Sequence, residues 1–98
     1  MLVLLNLVMI DCYEKSYFSL YFPDRIPYVC PARLSIWCGW IINIDDKEYH
    51  PINLDALYKV DGLEIDIRYH ILSSEWECPQ WKPRKFKQIE IISISLNN

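Results

Sequence analysis

Strict alternation of apolar and polar residues marks one segment of the chain as a β-strand. Over residues 63–71, five apolar or aromatic side chains occupy the odd positions and four polar or charged ones the even positions. A period of two is typical of a strand with one buried and one solvated face. Asp61-Gly62, directly before it, is a turn signal. The sequence therefore predicts a turn followed by a half-buried strand.

A second strand and a hairpin are predicted in the middle of the chain. Arg33–Ile44 is rich in β-branched and aromatic residues, and Cys38-Gly39 within it marks a bulge. Asp45-Asp46 predicts a tight turn. The second arm of the hairpin is then Lys47–His50, closed by Pro51.

The remaining segments give weaker patterns. Tyr17–Phe22 alternates aromatic and smaller residues and is interpreted as a strand, whereas the two prolines in Ile26–Pro31 predict an extended connector. Ser73–Lys87 is interpreted as a long loop punctuated by prolines. Ile89–Leu96 predicts a final strand, and its alternation slips at Ile91-Ile92, which indicates a second bulge.

These elements predict an all-β fold. One short helical turn is expected over Asn53–Tyr58, with Asn53 as its N-cap. Five strands with bulges favour a small OB-like five-stranded barrel, since closure removes exposed strand edges. A two-sheet β-sandwich is the alternative. The barrel is expected to form a single domain over residues 17–98, because 98 residues leave no room for a second core.

The first twelve residues allow two interpretations. Leu2–Ile10 is an apolar run too short to span a bilayer as a helix. It has the size of a signal-peptide core and is followed by Asp11-Cys12, so Cys12 is a candidate for lipidation and membrane anchoring. No basic residue precedes the run, and Asp11 stands where a small residue is usual. Alternatively, Leu2–Ile10 is the first strand of the barrel.

Composition and charge exclude several classes of function. The chain is 52% hydrophobic, which fits a globular protein, and its net charge of −3 lacks the basic excess of a dedicated nucleic-acid binder. With two glycines and no serine in a nucleophile turn, the sequence shows no catalytic residues and implies no cofactor. We expect a protein that is not an enzyme.

The cysteines and histidines are the candidate metal ligands of the chain. Three cysteines together with a histidine would provide the soft ligands of a zinc site, the set being Cys30, Cys38 and Cys78 with His50 or His70. None of them stands at the paired spacing of known zinc modules, so no metal site is predicted.

One segment combines aromatic rings with cations and is the candidate ligand-binding region. Its residues are Trp76, Trp81, Lys82, Arg84, Lys85 and Lys87. Rings that stack on bases beside charges that follow phosphates would suit single-stranded nucleic acid, which OB barrels often bind. The same groups would also serve a protein or glycan partner. The alternative is structural: the tryptophans close one end of the barrel and the lysines are solvated.

The order of several short motifs resembles a known group of domains. These motifs are Cys38-Gly39-Trp40, Tyr49-x-Pro51-x-Asn53-Leu54, Asp61-Gly62-Leu63, Cys78 and the Ile-rich final strand. The chain resembles small uncharacterised bacterial domains with an OB-like β-barrel, often secreted or lipid-anchored. The resemblance covers about Arg33–Leu96 and implies a disulfide between Cys38 and Cys78. It carries no activity.

The sequence thus predicts a non-catalytic binding or structural module of the bacterial cell envelope, or a secreted one. Its partner would be a protein or glycan, and nucleic acid is disfavoured. The alternative is a cytoplasmic OB-type module that binds single-stranded nucleic acid.

Overall fold

Strands dominate the fold. The computed structural model describes residues 12, 26–32, 39–78 and 84–97. These residues form five strands and one 3-10 turn, in the order β1 (Tyr28–Pro31), β2 (Trp40–Ile44), β3 (Lys47–Pro51), the turn Ala56–Tyr58, β4 (Ile65–Cys78) and β5 (Arg84–Leu96). The prediction of a mostly β fold with one short helical turn is confirmed.

All five strands belong to one mixed sheet of order β1-β2-β3-β5-β4. Only β3 and β5 are parallel, and the other neighbours are antiparallel. The two-sheet sandwich is therefore wrong for the described residues. Each outer strand has one neighbour within the sheet, and the sheet is not closed along its length.

The two outer strands nevertheless meet at one end of the sheet. The Val29 N–H donates to the Leu63 carbonyl at 2.9 Å, and the Gly62 N–H donates to the Val29 carbonyl at 2.8 Å. Gly62 lies in the predicted Asp61-Gly62 turn at φ +83°, a conformation that glycine adopts without steric cost. β1 thus contacts the chain where it enters β4.

The β2–β3 hairpin forms as predicted. Asp45 and Asp46 both have positive φ, 52° and 66°. Two central residues with positive φ match the twist of the flanking strands in a two-residue hairpin turn. The Asn43 side-chain oxygen accepts a hydrogen bond from the Asp46 N–H at 3.2 Å, which supports the turn from within β2.

The connector predicted near the start of the described chain is wrong in detail, and the strand that follows it is described only in part. The segment 26–31 is not merely a connector, since Tyr28–Pro31 forms β1 and pairs with β2. Proline is tolerated there because β1 lies at the edge of the sheet. The strand predicted over Arg33–Ile44 is assigned only from Trp40 onward, and residues 33–38 lie outside the described residues.

β4 and β5 are longer than predicted. The loop predicted over Ser73–Lys87 is wrong, because β4 continues to Cys78 and β5 begins at Arg84. The register shifts between Ile71 and Glu75, which interrupts the alternation. The bulge predicted at Ile91-Ile92 is confirmed by a second register shift, opposite Arg68/Tyr69.

The sheet buries apolar side chains on both faces. The inner cluster comprises Val29, Ile42, Ile44, Tyr49, Ile65, Ile89 and Ile91. The outer cluster comprises Cys12, Cys30, Ala32, Ile41, Cys78 and Phe86. Neighbouring residues such as Ile41 and Ile42 belong to different clusters, and successive strand residues point to opposite faces. The two clusters therefore lie on opposite sides of the sheet.

Cys12 belongs to the outer cluster. Its sulfur is bonded to that of Cys30, and the two residues are 8% and 7% exposed. Its backbone N–H donates to the Asp61 carboxylate at 3.0 Å. One sulfur cannot be both half of a disulfide and a lipid thioether, so the lipidation predicted for Cys12 is incompatible with this bond. The interpretations of Leu2–Ile10 and Tyr17–Phe22 fall outside the described residues.

Asn53 has a different role from the predicted one. The N-cap of the 3-10 turn is Asp55, whose carboxylate accepts from the Leu57 N–H at 2.9 Å. The Asn53 side chain instead pairs with the backbone of Ile91, donating to its carbonyl at 3.0 Å and accepting from its N–H at 2.8 Å. The amide thus continues the pairing with β5 beyond the end of β3.

We expect Asn53→Ala to lower the free energy of unfolding by about 2 kcal/mol, because it leaves both backbone groups of the buried Ile91 without this partner. Asp55→Ala is the matched control and should cost about 1 kcal/mol, the usual effect of losing an N-cap. Urea unfolding measures both. Equal losses in the two variants would contradict a pairing role for Asn53.

Candidate binding surface

A row of stacked rings crosses strands β3, β4 and β5. His50 stacks on Trp76 with ring centroids 4.2 Å apart and planes 8° from parallel. Trp76 and Phe86 follow at 6.4 Å and 31°, and the Arg84 guanidinium lies 5.0 Å from the centroid of Phe86. We call these four residues the ring row. Geometries of this kind contribute about 0.5–1.5 kcal/mol per pair beyond burial alone.

Strand register explains why these side chains meet. Trp76 lies opposite Phe86 across β4 and β5, and His50 lies opposite Gln88 across β3 and β5. Because Phe86 and Gln88 are two residues apart, their side chains share one face of β5. The ring row therefore lies on the face that carries the outer cluster, and Trp76 packs against that cluster.

Polar contacts tie the row together along its length. Arg84 forms an ion pair with Glu48 at 2.8 Å, with both side chains well exposed. The Gln88 side-chain nitrogen lies 3.1 Å from His50 Nδ1, so a neutral His50 that carries its proton on Nε2 accepts a hydrogen bond there. These contacts fix the orientation of the row before any ligand binds.

Burial lowers the pKa of His50 below its ordinary value of 6.5, and a hydrogen bond to its own backbone acts weakly in the opposite direction. The neutral form is therefore favoured in the folded chain. A neutral ring retains the Nδ1 acceptor that faces Gln88.

The structure separates the residues predicted to bind a ligand. Trp76 and Arg84 lie together in the ring row. Lys85 and Lys87 alternate with Arg84 along β5 and point to the other face, where they stand directly opposite Glu77 and Glu75. Trp81 and Lys82 lie outside the described residues.

The charges of the described residues in this region balance. Three cations, Arg84, Lys85 and Lys87, stand beside three acids, Glu48, Glu75 and Glu77. An oligonucleotide site needs an excess of positive charge that follows the phosphates. The described part of the region has no such excess.

Three further residues belong to this surface although the sequence pattern does not indicate them, namely Glu48, His50 and Gln88. They come from β3 and β5, whose parallel pairing joins segments about 40 residues apart. The sequence offers one signal. Glu48 and His50, and likewise Arg84 and Gln88, are an even number of positions apart, so in a strand each pair shares a face.

The cysteines are oxidised in the described chain. Cys12 is bonded to Cys30, and Cys78 is also disulfide-bonded. Cys38 lies outside the described residues, so its pairing with Cys78 stays a prediction. Cys30 and Cys78 are therefore not free to act as thiolate ligands of zinc. The disulfide indicates an oxidising, non-cytoplasmic environment.

No protein-family model, curated protein or solved structure matches the chain. Among the described residues, no helix has the length and apolar character needed to cross a membrane.

The lowered pKa of His50 predicts how stability depends on pH. Its folded-state pKa lies below the unfolded value of 6.5, so its contribution is present above about pH 6.5 and is lost as the pH falls toward the folded-state pKa. We expect the free energy of unfolding to fall between about pH 7.5 and pH 5.5. His50→Gln should show a smaller decrease.

Urea unfolding at a series of pH values measures this dependence. His70→Gln, at an exposed position of β4, is the matched control, because it alters the other histidine without touching the ring row. An identical slope in His50→Gln would show that burial at this position does not favour the neutral ring.

Proposed function

We propose that the chain is a non-catalytic, OB-like binding module of the bacterial cell envelope, or a secreted one. The strand order carries the fold part of this proposal. An order of β1-β2-β3-β5-β4, parallel pairing of β3 with β5, a short helical turn before β4 and contact between β1 and the start of β4 suit an incompletely closed OB-type barrel.

The Cys12–Cys30 disulfide supports the location. Disulfides between buried cysteines form and persist in oxidising compartments such as the periplasm or the exterior of the cell. An anchor at Cys12 is not part of the proposal, because its sulfur is already used in this bond.

The ring row supports the binding surface. It presents the partly exposed rings of His50 and Trp76 beside a carboxylate, a guanidinium and an amide that are held by mutual contacts. Such groups donate and accept hydrogen bonds, as sugar hydroxyls require, and preorganisation lowers the entropic cost of binding. A glycan of the envelope is therefore our first candidate partner, and the balanced charge disfavours nucleic acid.

The location is tested by intact mass measurement of the chain produced in a bacterial host and recovered from the envelope or medium. We expect a non-acylated species that gains about two mass units for each disulfide on reduction. A chain found in the cytoplasm with four alkylatable thiols, or one acylated at Cys12, would contradict this part of the proposal.

Binding is tested by NMR titration of the oxidised chain with soluble cell-wall oligosaccharide and, separately, with a single-stranded oligonucleotide. We expect the side-chain amide of Gln88 to shift with the oligosaccharide only. Arg84→Gln should weaken the affinity about tenfold, the usual effect of losing a charged hydrogen-bonding group.

Lys85→Gln is the matched control, since Lys85 lies on the opposite face. It should leave oligosaccharide affinity unchanged. Oligonucleotide binding that falls with salt and is lost in Lys85→Gln would favour the nucleic-acid module instead.

A further inference from the structure

The outer cluster depends on cystine sulfur, whereas the inner cluster contains none. Three of the six buried residues of the outer cluster, Cys12, Cys30 and Cys78, are disulfide-bonded cysteines. The inner cluster consists of aliphatic residues and one tyrosine, and four of them, Val29, Ile42, Ile65 and Ile89, are fully buried. Among the described cysteines, reduction therefore acts directly on one side of the sheet only.

The ring row is built on the side that contains the cystines. Phe86 is a member of the outer cluster and is 4% exposed, and Trp76 packs against the cluster. The stack of His50 depends in turn on the position of Trp76. An outer cluster that loses its cross-links would release the supports of the ring row.

We propose that the oxidation state of the cysteines gates the ring row. The oxidised chain holds the rings in their stacked arrangement. The reduced chain keeps the inner cluster and the sheet but loses the ordered outer face. The effect of this gate on ligand binding rests on the proposed function, whereas the gate itself is a structural change that does not require a ligand.

The closing step is thiol–disulfide exchange. The thiols of Cys12 and Cys30 give two electrons and two protons to an incoming disulfide, of a small molecule or of an oxidoreductase, which leaves as two thiols. Because both sulfurs are nearly inaccessible once the outer cluster has packed, a small dithiol can reverse the step only after local opening. Closure is therefore slow to reverse, and the surface stays formed after the chain has met the oxidant.

The two histidines of the chain provide the test. Above about pH 7.5, where an ordinary histidine is neutral, the indole of Trp76 should shift the His50 ring protons upfield of those of the exposed His70. We expect this separation in the oxidised chain. It should be lost on reduction with a dithiol and in the double variant Cys12→Ala with Cys30→Ala. His70→Gln assigns the two signals.

The methyl signals of Ile42, Ile65 and Ile89 report on the inner cluster in the same samples. They should stay dispersed when the His50 shift is lost. Ile41→Val removes a methylene from the outer cluster but keeps the cystines, and it should retain the upfield His50 signal.

Two outcomes would overturn the gate. One is a His50 signal that stays upfield in the reduced chain and in the double variant. The other is collapse of the isoleucine signals together with the His50 shift, which would show one cooperative unit instead of two faces. Neither measurement needs a ligand, so failure of the oligosaccharide titration leaves this test unaffected.

Discussion

The parallel pairing of β3 with β5 is the contact on which the rest of the structure depends. It consists of three residue pairs, Tyr49↔Lys87, His50↔Gln88 and Pro51↔Ile89, and the Asn53 side chain extends it to Ile91. Without it, the β1–β2–β3 meander would be joined to the β4–β5 ribbon only at one end, where β1 contacts the chain that enters β4. The inner cluster would then divide between the two halves, and the ring row, which spans the same junction on the other face, would not exist.

The sequence pattern predicted those elements that are determined by residues close together in the chain. The alternation over residues 63–71 and the Asp45-Asp46 turn gave a strand and a hairpin because period and turn chemistry are properties of neighbouring residues. The second half of β4 escaped detection. Its register slips between Ile71 and Glu75, and its pairing with β5 gives it order that its own sequence does not show. β1 was missed because Pro27 and Pro31 suggested a connector, although an edge strand accepts proline.

The candidate site was predicted only where one short segment determined it. Trp76 and Arg84 were identified from the clustering of rings and cations. The alternation of side chains along β5 places Lys85 and Lys87 on the other face. The sequence of Ser73–Lys87 predicts a loop, and a loop has no such alternation. The bond from Cys12 to Cys30 depends on distance in the folded chain. The apolar run before Cys12 suggested a signal peptide with lipidation instead of a disulfide. The spacing of the cysteines along the sequence does not determine which of them are bonded to each other.

The two bulges in the β4–β5 ribbon have a consequence for the life of the chain before it is fully folded. The β3–β5 contact closes a long stretch of sequence, so the sheet forms through contacts of high sequence separation, a topology associated with slow folding. While the sheet is forming, the 14-residue strand β4 presents an edge on which other unfolded copies of the chain can pair. Register shifts at Arg68/Tyr69 and Ile71/Glu75, together with the charges on this strand, interrupt the straight ladder that intermolecular pairing needs. The irregularity at Ile71/Glu75, which obscures the second half of β4 in the sequence, thus also disfavours pairing with other copies of the chain.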